Sequence, residues 1–371
     1  MEYGGTTSED GTQQELKRAN IFFTCVFLFV SIYCFVVFNT GEGWLVKFIK
    51  TNYTDSRSIG STLVSRASFS LAVWFAFHSI VTIGNPNLID SCQFQFHIYG
   101  KYYSLLLLVM IYVGTMFIGD SLFDHFLKFA MYASGLYLVI QVLFLIDLFH
   151  RWNDTYATED NVTVLLIITF VLTVGGLGFL GICYHFFGFS GCGQNTTIIT
   201  VNICLTCALW FASLLAERGS IFTASLVTSY ISYLTCTGLM CDSTRCNKLT
   251  GNTNNYYFSV VSSIFTLSWA GYSAFSTTYR FGKCDCENCE KEVENAEERF
   301  SLSFFHGMFA FASIYLCMLV TSWGKTNEST PWSTSRGSVA KWVNIGVSWL
   351  VQVLYGWTLA APKLLKDRVF D

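Results

Sequence analysis

Apolar residues in this chain run in long stretches broken by short polar punctuation, rather than recurring every third or fourth position as on a soluble amphipathic helix. Ten stretches are legible, over about 21–39, 61–84, 101–119, 124–150, 162–187, 197–216, 220–241, 256–276, 301–323 and 340–362. Each approaches the roughly 20 residues that a helix needs to cross a hydrocarbon core about 30 Å thick. Lipid offers the backbone no hydrogen bonds, so runs of that length are expected to be helices. The pattern predicts an all-α integral membrane protein with about ten transmembrane helices. Residues 1–19 read as a polar cytosolic tail and 364–371 as a second one. Between them, 20–363 forms a single polytopic membrane domain with an acidic, cysteine-bearing cytosolic loop at 277–300.

The fourth stretch, about Phe123 to Trp152, is the longest. As a helix rising about 1.5 Å per residue it exceeds 40 Å, so it must tilt or protrude, and it reads as a brace between helix groups. An even number of spans puts both termini on one side. Lys17 and Arg18 at one end, with Lys363, Lys366 and Arg368 at the other, favour the cytosol. On that topology the sequons at Asn52, Asn195 and Asn327 fall outside, as glycosylation candidates, while those at Asn153 and Asn161 fall inside. The first apolar stretch carries no clear cleavage site and reads as a retained anchor.

Composition agrees with the pattern: 52% of residues are apolar, 17% aromatic and 13% charged, against about a quarter charged in soluble domains. A net charge of -3 with no strongly basic block excludes nucleic acid as a partner. No GxSxG elbow, phosphate-cradling glycine loop, HExxH or paired carboxylates are present, so the expectation is a non-enzyme with no cofactor and no metal site.

Polar groups within apolar stretches are the candidates for function, because each is costly there. Arg66 either pairs with an acid or snorkels to a headgroup. His78 reads as a neutral histidine bonded to a neighbouring helix. Gln141 lies two turns into the apolar part of the long fourth segment and should face protein or water. Asp147 and His150 share a helix face, with Asn153 just beyond, as a polar cluster at the cytosolic boundary. The seventh stretch carries a hydroxyl-rich face, including Ser225, Ser229 and Thr235, which reads as helix packing or as a groove for lipid headgroups. Gly175 to Gly178, the run GGLG, permits either close helix approach or a bend.

The cysteines divide by compartment. Cys192, Cys241 and Cys246 fall at or beyond outer helix ends, where disulfides persist; a Cys192 to Cys246 bridge is expected, with Cys241 as the rival partner. Cys284, Cys286 and Cys289 follow a span on the cytosolic side as S-acylation candidates, three thiols being one ligand short of a structural zinc. The acidic run after them, EKEVENAEER, is a solvated loop or a docking segment for trafficking adaptors.

The blocks QVLFLIDLFHRWND, SLVTSYISYLTCTG, FSLSFFHGMFAFASIYLCMLVTSW and VSWLVQVLYGWTLAAPKLLKDRVF, in that order and spacing, resemble the serine incorporator (Serinc) family from about Ile21 to the end. Arg66, Gln141, Asp147, His150, Trp152, Asn153, Cys192, Ser225, Cys246, Trp349 and Trp357 are among the matching positions. Cys236–Thr237 and Lys248 depart from the family pattern. The resemblance implies ten helices in two bundles joined by a long diagonal helix, in the plasma membrane or in endomembranes such as Golgi and endoplasmic reticulum. It also implies lipid handling, by ATP-independent phospholipid scrambling or by supporting serine incorporation into phosphatidylserine and sphingolipids. Expected partners are membrane phospholipids, L-serine, trafficking adaptors and further copies of the chain. A small-solute transporter with broken helices and a non-transporting scaffold are the competing expectations.

Overall fold

The computed structural model describes residues 6–40, 56–83, 92–157, 162–189, 191–216, 219–242, 245–248, 302–321, 323 and 334–364. These residues form helices and connections with no strand among them. The helices are α1 (Thr6–Thr40), α2 (Ser56–Val81), α3 (Cys92–Tyr99), α4 (Lys101–Met116), α5 (Asp120–Tyr156), α6 (Val162–Phe187), α7 (Gly193–Leu215), α8 (Ile221–Met240), α9 (Leu302–Val320) and α10 (Thr334–Leu364).

Seven of them, α1, α2, α5, α6, α7, α9 and α10, are long and apolar enough to cross a membrane. Of the other expected spans, α4 is apolar but has 16 residues, and the stretch at 256–276 lies outside the described residues. In α8, Ser and Thr take seven of 20 positions and lower its apolarity. α1 begins at Thr6, inside the segment read as a polar tail.

The chain divides into two compact units, and the long α5 contributes to both, with the cut between Tyr137 and Leu138. At 37 residues α5 extends about 55 Å, longer at both ends than the stretch read from the sequence. It starts at Asp120, an acid in the first turn where the helix dipole favours negative charge.

In the first unit α2 is the hub, packed against α1, α4 and α9. Trp74, Phe75, Leu71 and Leu63 of α2 are fully or almost fully buried. In the second unit α8 is the hub, packed against α6, α7 and α10. A helix so rich in hydroxyls survives there because they turn back on its own carbonyls: Thr228 donates to Ala224 O at 2.8 Å and Thr235 to Ile231 O at 2.7 Å. Other hydroxyls cross to the neighbour, Ser229 to Leu172 O at 3.1 Å and Ser232 to Gly176 O at 2.8 Å on α6. Gly176 makes that approach feasible, since a Cβ there would sit 3.1 Å from Thr228 Cγ2 and 3.3 Å from the Ser229 backbone. The GGLG run therefore joins α6 to α8, and α6 continues unbroken through it.

Candidate functional site

α7 carries Asn195, Asn202, Thr206 and Ser213 at intervals of seven, four and seven, which places them on one helix face. All four are buried. Facing them, α10 presents Lys341, Ser348, Gln352 and Tyr355, spaced seven, four and three, and likewise buried. From Asn195 to Ser213 is about 27 Å of helix, close to the thickness of a hydrocarbon core. The two helices thus share a polar seam that runs the depth of a membrane.

Three rungs close the seam. At the start of α7, Lys341 Nζ donates to Asp242 Oδ2 at 2.8 Å, to Asn195 Oδ1 at 2.8 Å and to Gln194 Oε1 at 3.1 Å. Asn195 Nδ2 donates to the same Asp242 oxygen at 3.2 Å. The ammonium therefore has an acceptor for each of its three protons and a carboxylate to balance its charge. In the middle, Asn202 Nδ2 donates to Thr235 Oγ1 at 2.7 Å, and Gln352 Nε2 donates to Asn202 Oδ1 at 3.0 Å. At the far end the Ser213 and Tyr355 hydroxyls are 2.5 Å apart. Between the middle and far rungs, Gln352 Oε1 and Thr206 Oγ1 are buried without a hydrogen-bond partner. An unmet buried acceptor costs about 1–3 kcal/mol, so this gap favours any donor that reaches it.

Beside the seam lies an open groove of about 530 Å³ lined by Gln194, Thr197, Ile198, Val201 and Leu205 of α7 and by Trp342 and Trp349 of α10. Its lining is apolar except at Gln194 and Thr197. The Cys192–Cys246 disulfide, with Cα atoms 5.6 Å apart, ties the residue before α7 to the segment after α8. Cys241 is a free thiol.

In the first unit a buried ion pair and a histidine cluster stand out among buried hydroxyls. Arg66 donates to Ile118 O at 2.9 Å and to Asp120 Oδ1 at 3.0 Å, contacts Thr115 O, and lies 4.4 Å from the centre of the Phe123 ring. It is fully buried in this pair, not snorkelling. Elsewhere, His97 Nδ1 is 3.0 Å from His306 Nε2, and His97 Nε2 is 3.0 Å from Asn20 Oδ1. The amide oxygen can only accept, so His97 carries its proton on Nε2 and takes one from His306 on Nδ1. Burial pushes the His97 imidazole down to about 3, with His78 and Lys101 adding repulsion. His78 is not bonded to a neighbouring helix as expected: both its ring nitrogens lack partners, and the ring stacks on His306 at 4.9 Å and on Phe96 at 5.4 Å. No group of three His, Cys, Asp or Glu among the described residues is placed to hold a metal.

The residues singled out from the sequence do not converge on one groove. Arg66 belongs to the first unit and the others to the second. Gln141 is buried, with its Oε1 unpartnered. Asp147 pairs with Arg151 at 3.0 Å, one turn along a half-exposed face. His150 lies beside the Tyr355 ring at 6.2 Å, and Asn153 Oδ1 accepts from the Ser220 hydroxyl at 2.6 Å. Ser225 bonds its own helix at Phe222 O, Ser229 reaches α6, and Thr235 alone enters the seam. Asn195, a glycosylation candidate, is buried here, with its amide shared between Lys341 and Asp242. Asn52, Asn327, Cys284, Cys286 and Cys289 lie outside the described residues. Sequence reasoning missed Asn202, Gln352, Lys341 and Asp242. The signal for the first two was present, since each is an amide well inside an apolar stretch, as Gln141 is.

A family model described as Serine incorporator (Serinc) matches residues 8–284 and 282–368. Among curated proteins, a probable serine incorporator of Nematostella vectensis is 27% identical over 376 residues, covering 84% of this chain and 81% of its own. A probable serine incorporator of Monosiga brevicollis is 24% identical over 391 residues, covering 84% and 79%. Serine incorporator 3 of Bos taurus is 24% identical over 425 residues, covering 92% and 90%.

Proposed function

We propose that this chain, which belongs to the serine incorporator family, moves phospholipids between membrane leaflets without ATP and without covalent chemistry. The observation that carries this reading is the seam of α7 and α10, with its unpaired acceptors at Gln352 Oε1 and Thr206 Oγ1. A headgroup crossing a bilayer must exchange hydration for other hydrogen bonds, and each polar group left bare in hydrocarbon costs several kcal/mol. A membrane-deep row of amides and hydroxyls lowers that barrier, and movement down an existing gradient needs nothing more. In the same reading the chain has ten spans in two bundles joined by α5, both termini cytosolic, in the plasma membrane or endomembranes. Its partners are phospholipids such as phosphatidylserine, together with further copies of itself and adaptors at the acidic loop.

Reconstitution into vesicles with fluorescent phospholipids tests this, by following loss of outer-leaflet signal under a membrane-impermeant quencher. The expected result is faster and more complete quenching than in empty vesicles. Replacing Asn202 with Leu, or Gln352 with Leu, is expected to slow flux by about tenfold while the Cys192–Cys246 bond still forms, each removing a mid-depth hydrogen-bonding group. Quenching indistinguishable from empty vesicles rejects the reading. The names of the relatives favour a second reading, support of serine incorporation into phosphatidylserine and sphingolipids. It predicts that cells lacking the protein incorporate less labelled serine into both lipids. The unbroken α6 leaves the small-solute transporter without its one sequence-level hint.

A further inference from the structure

We infer that the groove beside the seam is a binding site for a sterol, a planar fused-ring lipid with a single hydroxyl. This goes beyond the scrambling reading and does not depend on it.

The first argument is depth. Gln194 is the second residue of α7 and Leu205 lies eleven residues further on, so the groove runs about 16 Å along the helix. That is half of a hydrocarbon core about 30 Å thick, so the occupant is one leaflet deep with its polar end at the start of α7. The volume of about 530 Å³ falls within the range of sites that enclose a compact small molecule.

The second argument is the chemistry of the polar end. Lys341 reaches that end through its bond to Gln194, but all three of its protons are engaged and Asp242 balances its charge. Lys341 is therefore not free for a phosphate or carboxylate. Gln194 Oε1 is taken by Lys341, which leaves the amide N–H groups as donors. The Thr197 hydroxyl donates to Gly193 O at 2.9 Å, which leaves its oxygen as an acceptor. One donor group and one acceptor match a lone hydroxyl, which accepts one bond and donates another.

The third argument is the wall. Trp342 and Trp349 are seven residues apart on α10, so they line one face two turns apart, opposite Ile198, Val201 and Leu205. Both indoles are partly exposed. A rigid ring system lies against such surfaces with little conformational entropy to lose, whereas a flexible acyl chain loses freedom at every bond that is held.

The test uses the full chain in nanodiscs containing a photoreactive cholesterol analogue, with labelled peptides mapped by mass spectrometry. Labels are expected to concentrate on 194–205 and 342–349 and to be displaced by excess cholesterol. They should resist excess phosphatidylcholine and cholesterol methyl ether, whose hydroxyl is blocked. Gln194→Leu, at an exposed position, is expected to reduce labelling about fivefold, and Trp349→Ala at least as much. Val171→Ala, on the exposed face of α6, should leave it unchanged. Labelling spread evenly over the lipid-facing helices, or displaced equally by phosphatidylcholine, overturns the assignment. Scrambling measured on the same preparations separates the two readings, since loss of flux with site-specific labelling intact, or the reverse, affects only one of them.

Discussion

The two units solve the same problem, holding polar side chains among apolar helices, in opposite ways. The first gathers its ion pair and imidazoles into two tight knots, the Arg66–Asp120 pair and the His78, His97 and His306 cluster, set among aromatic packing and the buried hydroxyls of α2. The second spreads them along a line, from Lys341 and Asp242 through Asn202 and Gln352 to Ser213 and Tyr355. A knot such as Arg66–Asp120 satisfies charge locally. A line places paired polar groups at successive depths, with a gap at Gln352 Oε1 and Thr206 Oγ1. On the scrambling proposal, this contrast assigns lipid handling to the second unit.

The strongest way to break the contrast is to remove one member of each buried ion pair. Asp120→Ala and Asp242→Ala are each expected to cost about 3–5 kcal/mol, since a buried cation is left without its counter-charge. Hydrogen exchange should rise in the mutated unit and stay near wild type in the other; equal loosening of both would show that they are not separate cooperative bodies. Next in size is the disulfide. Cys246→Ser opens a constraint across 54 residues of sequence and is expected to cost about 2–4 kcal/mol, read as a lower thermal midpoint and increased exchange in α7 and α8.

Gly176→Val comes third, at about 1–3 kcal/mol, because the added carbons meet Thr228 and the Ser229 backbone. A cross-link between cysteines introduced in α6 and α8 should then form more slowly. The smallest effect separates the units by acidity. His97 is held neutral in the folded state, with its value lowered to about 3 against an unfolded value near 6.5. The unfolded chain therefore binds the extra proton below about pH 6.5. The stability from keeping His97 neutral is complete above that and is lost as pH falls toward 3. Between pH 7 and 5 the contribution of His97 to the first unit is expected to fall by about 1–2 kcal/mol, and His97→Gln should reduce the slope by that share.

Much of this architecture is legible in the pattern of apolar runs, because span length is a local property set by bilayer thickness. The long α5 was visible for that reason, and so was the burial of Gln141. Partnerships were not. Asp120 stands in a polar gap between two apolar runs and reads as loop, yet α5 begins on it and delivers it to Arg66, 54 positions earlier. Lys341 and Asp242 each sit at the edge of a span, where charge is unremarkable, and only the packing of α8 against α10 makes them a pair. The burial of Asn195 was hidden for another reason. A three-residue sequon is a statement about chemistry in an extended chain, and helix α7 then carries the asparagine inward.

That asparagine has a further consequence. On the luminal side proposed for the start of α7, an oligosaccharide attached to Asn195 before the helix has docked could not later be withdrawn. The amide it modifies is the one Asp242 and Lys341 must close upon. Occupancy of this sequon would therefore count chains that lost a race between enzymatic modification and helix assembly, a record of biosynthetic history rather than an ornament of the mature protein.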